Sequence, residues 1–289
     1  MSDSGLTRIL ILVQTDPTLS KKYTETVCTA GLEKVGESEY RWIRLYPIEK
    51  RGLPTQCKYE KFQWIKCRLR APSNTDHRPE SHKIYEDTIQ LLEKISPGVN
   101  RDWAERRQII LNSGLPCYHS KADIIAGAKC NDFSLCLFKP AKIQKFYAVS
   151  QPTDFSEEER KIIEGARQNH SLLKPFSDFS EVKFKKIPFR FKCVFCDDGN
   201  KKLDLSVLDW EISALFRNLQ NKYKDNQSAK ELTLAKYQGF VENRDVYFVL
   251  GTRNKEHNML LASPDSNVNP WSIIAVIPFP KSTQGAFAF

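Results

Sequence analysis

Side chains along a β-strand point alternately to its two faces, and two stretches of this chain use that alternation in a way that restricts how they fold. In Trp64-Ile65-Lys66-Cys67-Arg68-Leu69-Arg70, one face carries Ile65, Cys67 and Leu69 and the other carries Trp64, Lys66, Arg68 and Arg70. In Tyr40-Arg41-Trp42-Ile43-Arg44-Leu45-Tyr46, Ile43 and Leu45 oppose Trp42, Arg44 and Tyr46. Each stretch must bury one side in a core. The other side mixes aromatic rings with cations, the combination that single-stranded nucleic acid requires, because rings stack on bases and cations follow phosphates. The plainer alternative is a solvated strand face on which Arg packs over Trp.

The apolar run Arg8 to Val13 reads as a central buried strand, and Thr26 to Leu32 as another. Five short strands within about seventy residues, with no strong helix between them, predict an antiparallel β-rich domain, either an open sheet or a small barrel. Helical spacing of Ile89, Leu92 and Ile95 predicts a helix over 85–95, and a second is expected over 102–112. Residues 134–138 and 143–149 read as strands. From 151 to 182 the chain turns polar and acidic, which predicts a linker with one short helix near 156–168. Beyond 183, Phe189 to Cys196 and Lys202 to Leu208 form a predicted hairpin, followed by a helix over Trp210 to Tyr223 and strands at 245–251 and 271–278. The expected fold is α+β, with a β-rich domain over 1–150, a linker over 151–182 and a smaller α+β domain over 183–289.

Charge sharpens the functional reading. The 289 residues hold 44 Lys+Arg against 35 Asp+Glu, a net +9. The excess is local. Residues 41–83 contain 11 basic and 4 acidic side chains and residues 183–202 contain 7 and 2, whereas 151–182 contain 4 and 7. Such patches select polyanions or acidic protein partners. There is no apolar run of membrane-spanning length and no secretory signal at Met1 to Thr7. The 8 cysteines follow no disulfide-like spacing, which suits reduced thiols in the cytoplasm.

Nucleic-acid contacts are therefore expected from Trp42, Tyr46 and Trp64 as stacking rings and from Arg44, Lys66, Arg68 and Arg70 as phosphate ligands. Arg78 is expected to join them from the polar loop Asp76 to His82, with Glu80 orienting it, and Arg190 and Lys192 offer a second contact. A rival reading places a divalent metal, magnesium or manganese, on Asp209 and Glu211 with Asp245 or Asp204, for phosphodiester cleavage. Asp209 is equally placed to cap the helix that follows, with Glu211 in its first turn. Cys193-Val194-Phe195-Cys196 lacks the second ligand pair that zinc needs. Glu181-Val182-Lys183 has a nuclease-like E-x-K form, but within the acidic stretch. No Gly-rich phosphate loop, nucleophile elbow or HExxH occurs, so no resident cofactor is expected.

Glu25 to Gly31, Arg41 to Ile48, Arg78-Pro79-Glu80-Ser81, Leu208-Asp209-Trp210-Glu211 and Val249-Leu250-Gly251-Thr252 resemble a group of uncharacterised prokaryotic proteins. That resemblance runs through most of the chain and implies no activity. The expectation from the residues is a nucleic-acid-binding protein reading single-stranded, flipped or modified bases of DNA or RNA. A metal-dependent nuclease and a protein-interaction module are the alternatives.

Overall fold

A computed structural model describes residues 5–20, 24–173 and 186–281. The N-terminal half is a barrel. Its strands are β1 (Thr7–Gln14), a short β2 (Thr18–Ser20), β3 (Thr24–Lys34), β4 (Tyr40–Ile48), β5 (Gln63–Arg70) and β6 (Ser81–Lys94). Hydrogen-bonded order runs β1-β5-β6-β4-β3, and β3 pairs again with β1 to close five strands, leaving β2 as an addition to β3. All neighbours are antiparallel except β4 and β6, which pair in parallel through Arg44–Ser81 and Leu45–His82. That order with its one parallel pair is the Greek-key connectivity of an OB-type barrel. Ile9, Ile11, Ile43, Leu45, Ile65, Cys67, Ile84 and Ile89 fill the interior. Tyr59, just after the two 3-10 turns between β4 and β5, reaches in and hydrogen-bonds Thr29 at 2.7 Å. β1 and β3 approach so closely that a Cβ at Gly31 would lie 1.9 Å from the Leu10 carbonyl oxygen, which accounts for glycine there.

The helix expected over 85–95 is instead most of β6. Its alternation is hidden by an irregularity opposite Lys66–Arg68, where Thr88 Oγ1 accepts from the Arg68 amide and donates to the Tyr85 carbonyl. Ile84 and Ile89, five positions apart, therefore both point inward, and a bulged strand mimics helical spacing. The expected helix over 102–112 is present as α1 (Ala104–Leu111).

The barrel's outer surface is apolar on one side too. Leu10, Leu12, Ala30, Leu32 and Trp64 form a second core with Leu135, Leu137, Val249, Ile274, Ala275 and Ile277. These last belong to a four-stranded sheet ordered β13-β12-β8-β7, made of β7 (Cys117–Tyr118), β8 (Leu135–Phe138), β12 (Arg244–Thr252) and β13 (Trp271–Pro280). A three-stranded sheet has β10 (Phe189–Cys196) between β9 (Lys142–Ser150) and β11 (Lys202–Ser206). Phe138, Phe146, Phe191, Phe195 and Phe248 share a third core with Phe216 of α4 (Trp210–Tyr223) and Tyr237 of α5 (Asn226–Asn243). α2 (Lys121–Lys129) and α6 (Asn254–Ala262) complete the α+β architecture with α3 (Glu157–Leu173), and the sequence signalled neither of these two nor α5.

The domain boundary expected at 151–182 moves. β9 pairs along its length with β10, and β8 lies beside β12, so residues 117–150 share sheets with strands beyond 186. The acidic stretch joins two neighbouring strands of one sheet. Its part from 174 on, including Glu181-Val182-Lys183, lies outside the described residues. Among the described residues no helix is long and apolar enough to cross a membrane.

Candidate nucleic-acid interface

The second sheet covers Trp42 and Arg44 on the aromatic and basic side of β4 and Trp64 at the start of that side of β5. Trp64 is 5% exposed, packed beneath the Arg8 guanidinium 4.8 Å from its ring. This is the plain Arg-over-Trp packing, so Trp64 is corrected from stacking ring to core residue, and Trp42 lies half-buried against the same core.

Arg44 and Arg78 are corrected as well. Arg44 is 1% exposed and donates to Ser134 O at 2.9 Å, Ser134 Oγ at 3.1 Å and Cys28 Sγ at 3.2 Å. Arg78 is 5% exposed; its Nε and NH2 donate to the two oxygens of Asp76, each at 2.7 Å, and its NH1 donates to Thr252 O at 3.0 Å. Asp76, not Glu80, orients it. Burial would raise the Asp76 carboxyl, but the Arg78 hydrogen bonds and charge outweigh burial and hold it below its ordinary value. Glu80 instead accepts from the amides of Ser134 at 2.8 Å and Leu135 at 3.2 Å. The loop Asp76 to His82 is thus a clamp between the two halves. Three of the five guanidinium N–H groups are taken by a bidentate carboxylate and a carbonyl, and at 5% exposure the remainder are closed to a phosphate. Tyr46 lies 5.3 Å from Arg78 in the same cluster.

Arg68 and Arg70 remain exposed, 5.9 and 5.3 Å from the ring of the exposed Tyr85, and Lys66 is half-buried beside them on β5. They make a small patch on the barrel.

A larger cationic surface lies where β9, β10 and β11 meet. Phe191, Cys193 and Phe195 turn one side of β10 to the core. The register stacks the opposite side in cross-strand rows: Arg190 with Val149, Lys192 with Tyr147 and Ser206, Val194 with Lys145 and Asp204, and Cys196 with Lys142 and Lys202. Lys142, Lys145, Arg190 and Lys202 are exposed, and Lys192 is half-buried. Tyr147 sits centrally, its hydroxyl donating to Asp204 at 2.7 and 2.9 Å, with the ammonium groups of Lys145 and Lys192 at 5.3 and 5.6 Å from its ring. Lys192 is 3.0 Å from Asp204, the one carboxylate in these rows. The sheet face therefore presents a tethered ring inside a ring of cations. Arg190 and Lys192 were legible from sequence. Lys142, Lys145, Tyr147 and Lys202 were missed, although Lys145 and Tyr147 alternate with Phe146 and Ala148, because the pairing of β9 to β10 spans the acidic stretch.

The proposed catalytic acids do not converge. Asp209 Oδ1 caps α4 by accepting from the Glu211 amide at 3.0 Å, and its Oδ2 accepts from the Val276 amide at 2.9 Å. Burial pushes its carboxyl up to about 6. Lys61 reaches Glu211 at 2.6 Å and Asp209 at 3.7 Å. Asp245 lies elsewhere, held by Lys139 and by Arg107 at 2.7 Å, and Asp204 serves Tyr147. Each acid already has a structural partner. Among the described residues no three His, Cys, Asp or Glu side chains are grouped to hold a metal. Cys193 and Cys196 are buried free thiols.

Residues 6–112 match the family model described as Domain of unknown function (DUF8758), and residues 118–288 match Domain of unknown function (DUF8757). The junction between the two matches falls between α1 and β7. No curated protein matches the chain.

Proposed function

The chain belongs to the Domain of unknown function (DUF8757) family, and we propose that this protein binds nucleic acid through the β9–β10–β11 face. One observation carries the reading: Lys142, Lys145, Arg190, Lys192 and Lys202 surround Tyr147 in cross-strand rows that, among the described residues, hold a single carboxylate. Cations spaced along paired strands neutralise successive phosphates, and the ring offers a stacking surface for an unpaired base. The Arg68–Tyr85–Arg70 patch repeats that chemistry on a smaller scale. The reading carries a cytoplasmic location, supported by 8 free cysteines, and a prokaryotic source, supported by the sequence resemblance.

The test is fluorescence anisotropy with labelled single-stranded and duplex DNA and RNA over a salt series. Binding should weaken steeply with salt. The double change Lys145→Ala and Arg190→Ala should reduce the salt slope by about one per cation removed. No binding to any of these probes at low salt sinks the proposal. Binding only to an acidic protein, with the same salt slope, assigns the face to a protein partner instead.

A further inference from the structure

Where the barrel meets the N-terminal end of α4, a cleft of about 560 Å³ opens between the Lys50–Phe62 connection, the end of β6, α1 and α5. An adjoining hollow of about 320 Å³, which Glu25 lines, shares Gln14, Lys50 and Trp210 with it. A cleft of this size suits a small ligand.

Three features of its lining point to the ligand's chemistry. The first is backbone strain. Phe62 has φ 62° and Trp103 has φ 58°, the left-handed region that bulky side chains rarely occupy. Their rings meet edge to face at 5.4 Å, and Arg106 lies over both, 4.1 Å from Phe62 and 4.8 Å from Trp103. Two strained aromatic residues locked together on one wall are the kind of outlier that collects at ligand clamps.

The second is charge. The acids in the cleft are already matched: Glu60 by Lys94, and Asp209 and Glu211 by Lys61. Lys50 is different. Its ammonium hydrogen-bonds the carboxamide of Gln14 and lies 5.5 Å from the Tyr59 ring, and burial lowers it to about 8. Lys236 of α5 also lines the cleft and is exposed. Two cations are thus available to an anion after the internal pairs are formed.

The third is the abundance of rings. Trp103 and Trp210 are half-buried rings that line the cleft, and Tyr59 and Phe62 are buried behind its surface. We propose that it binds a nucleotide, a planar base stacked on the aromatic wall with its phosphate held by Lys50 and Lys236. The site is separate from the β9–β11 face and does not depend on that face binding nucleic acid. The same chemistry comes from a free nucleotide or from the phosphorylated end of a strand.

The experiment titrates the full chain with AMP, adenosine, inorganic phosphate and a 5′-phosphorylated oligonucleotide, following intrinsic tryptophan emission and calorimetric heat. AMP should bind saturably, with adenosine and phosphate each weaker by about tenfold or more. Lys50→Met should weaken AMP by a similar factor. Lys236→Gln, an exposed change that leaves the fold alone, should weaken it to a smaller extent. Competition by the oligonucleotide assigns the site to a strand end; its failure to compete assigns the site to a free nucleotide. No saturable AMP signal, adenosine or phosphate binding as tightly as AMP, or unchanged AMP affinity in Lys236→Gln with a folded Lys50→Met also unchanged, each overturns the proposal.

Discussion

Arg78 and Thr252 lie 174 positions apart in sequence, yet the guanidinium NH1 of one donates to the carbonyl of the other at 3.0 Å. That bond, with the Asp76 pair behind it, fastens the barrel's last loop to β12.

Removing Arg78 should therefore unfold more than it unbinds. Arg78→Ala strands a buried Asp76 carboxylate, at a cost of about 3–5 kcal/mol. Urea midpoints measure the loss. Arg78→Lys should recover only part of it, because an ammonium cannot reproduce the two-pronged contact. Oligonucleotide affinity of the folded variant should match the parent chain.

Trp64→Ala should likewise report on stability. Its ring is buried between Arg8 and the second sheet, so truncation leaves a cavity costing about 3–5 kcal/mol. A Trp64→Ala protein that keeps its melting temperature but loses nucleic-acid affinity would return the residue to the binding surface.

Asp204→Asn and Tyr147→Ala separate charge from stacking. Replacing Asp204 removes the only carboxylate in the cross-strand rows and frees Lys192, so low-salt affinity should rise. Tyr147→Ala should cost about 1–3 kcal/mol of single-strand binding and much less of duplex binding, if a base stacks on the ring. Anisotropy titrations of the two variants against both probes decide this.

Asp209 sets a pH signature. Its folded carboxyl is pushed up to about 6 from an ordinary 3.8, so between those values the folded protein binds more protons than the unfolded chain. Stability from this group is greatest below 3.8 and declines as pH rises toward 6. Asp209→Asn keeps a capping side chain and should flatten that decline in urea midpoints measured across the window. Asp76 has the opposite sign: its folded value is depressed, so its contribution holds above its ordinary 3.8 and is lost as pH falls further.

Much of the framework was readable along the chain. β4 and β5 declare themselves through period-two patterning, β1 through its continuous apolar run, and Asp209 announces α4 as a capping residue at its observed place. β6 did not, because Tyr85 to Thr88 break the alternation and the barrel supplies partners on both edges. The choice of nucleic-acid face was read from the pattern on β4 and β5, which records that two sides of a strand differ but not what covers either one. Leu10, Leu12 and Leu32 held the missing information: apolar residues on the outer side of β1 and β3 mean that this side, too, is buried. The β9–β11 face was harder to foresee, since its members are gathered across more than sixty positions, from Lys142 to Ser206, by pairing that no local window contains.

The doubly apolar β1 has a consequence for how such a barrel can exist by itself. Severed after α1, it would expose Leu10, Leu12, Leu32 and Trp64 as one greasy wall and invite self-association. Its inheritance is then tied to a companion that shields that wall. A truncated barrel made soluble would need those positions rewritten as polar residues, whereas the intact chain tolerates them because its second half travels with the first.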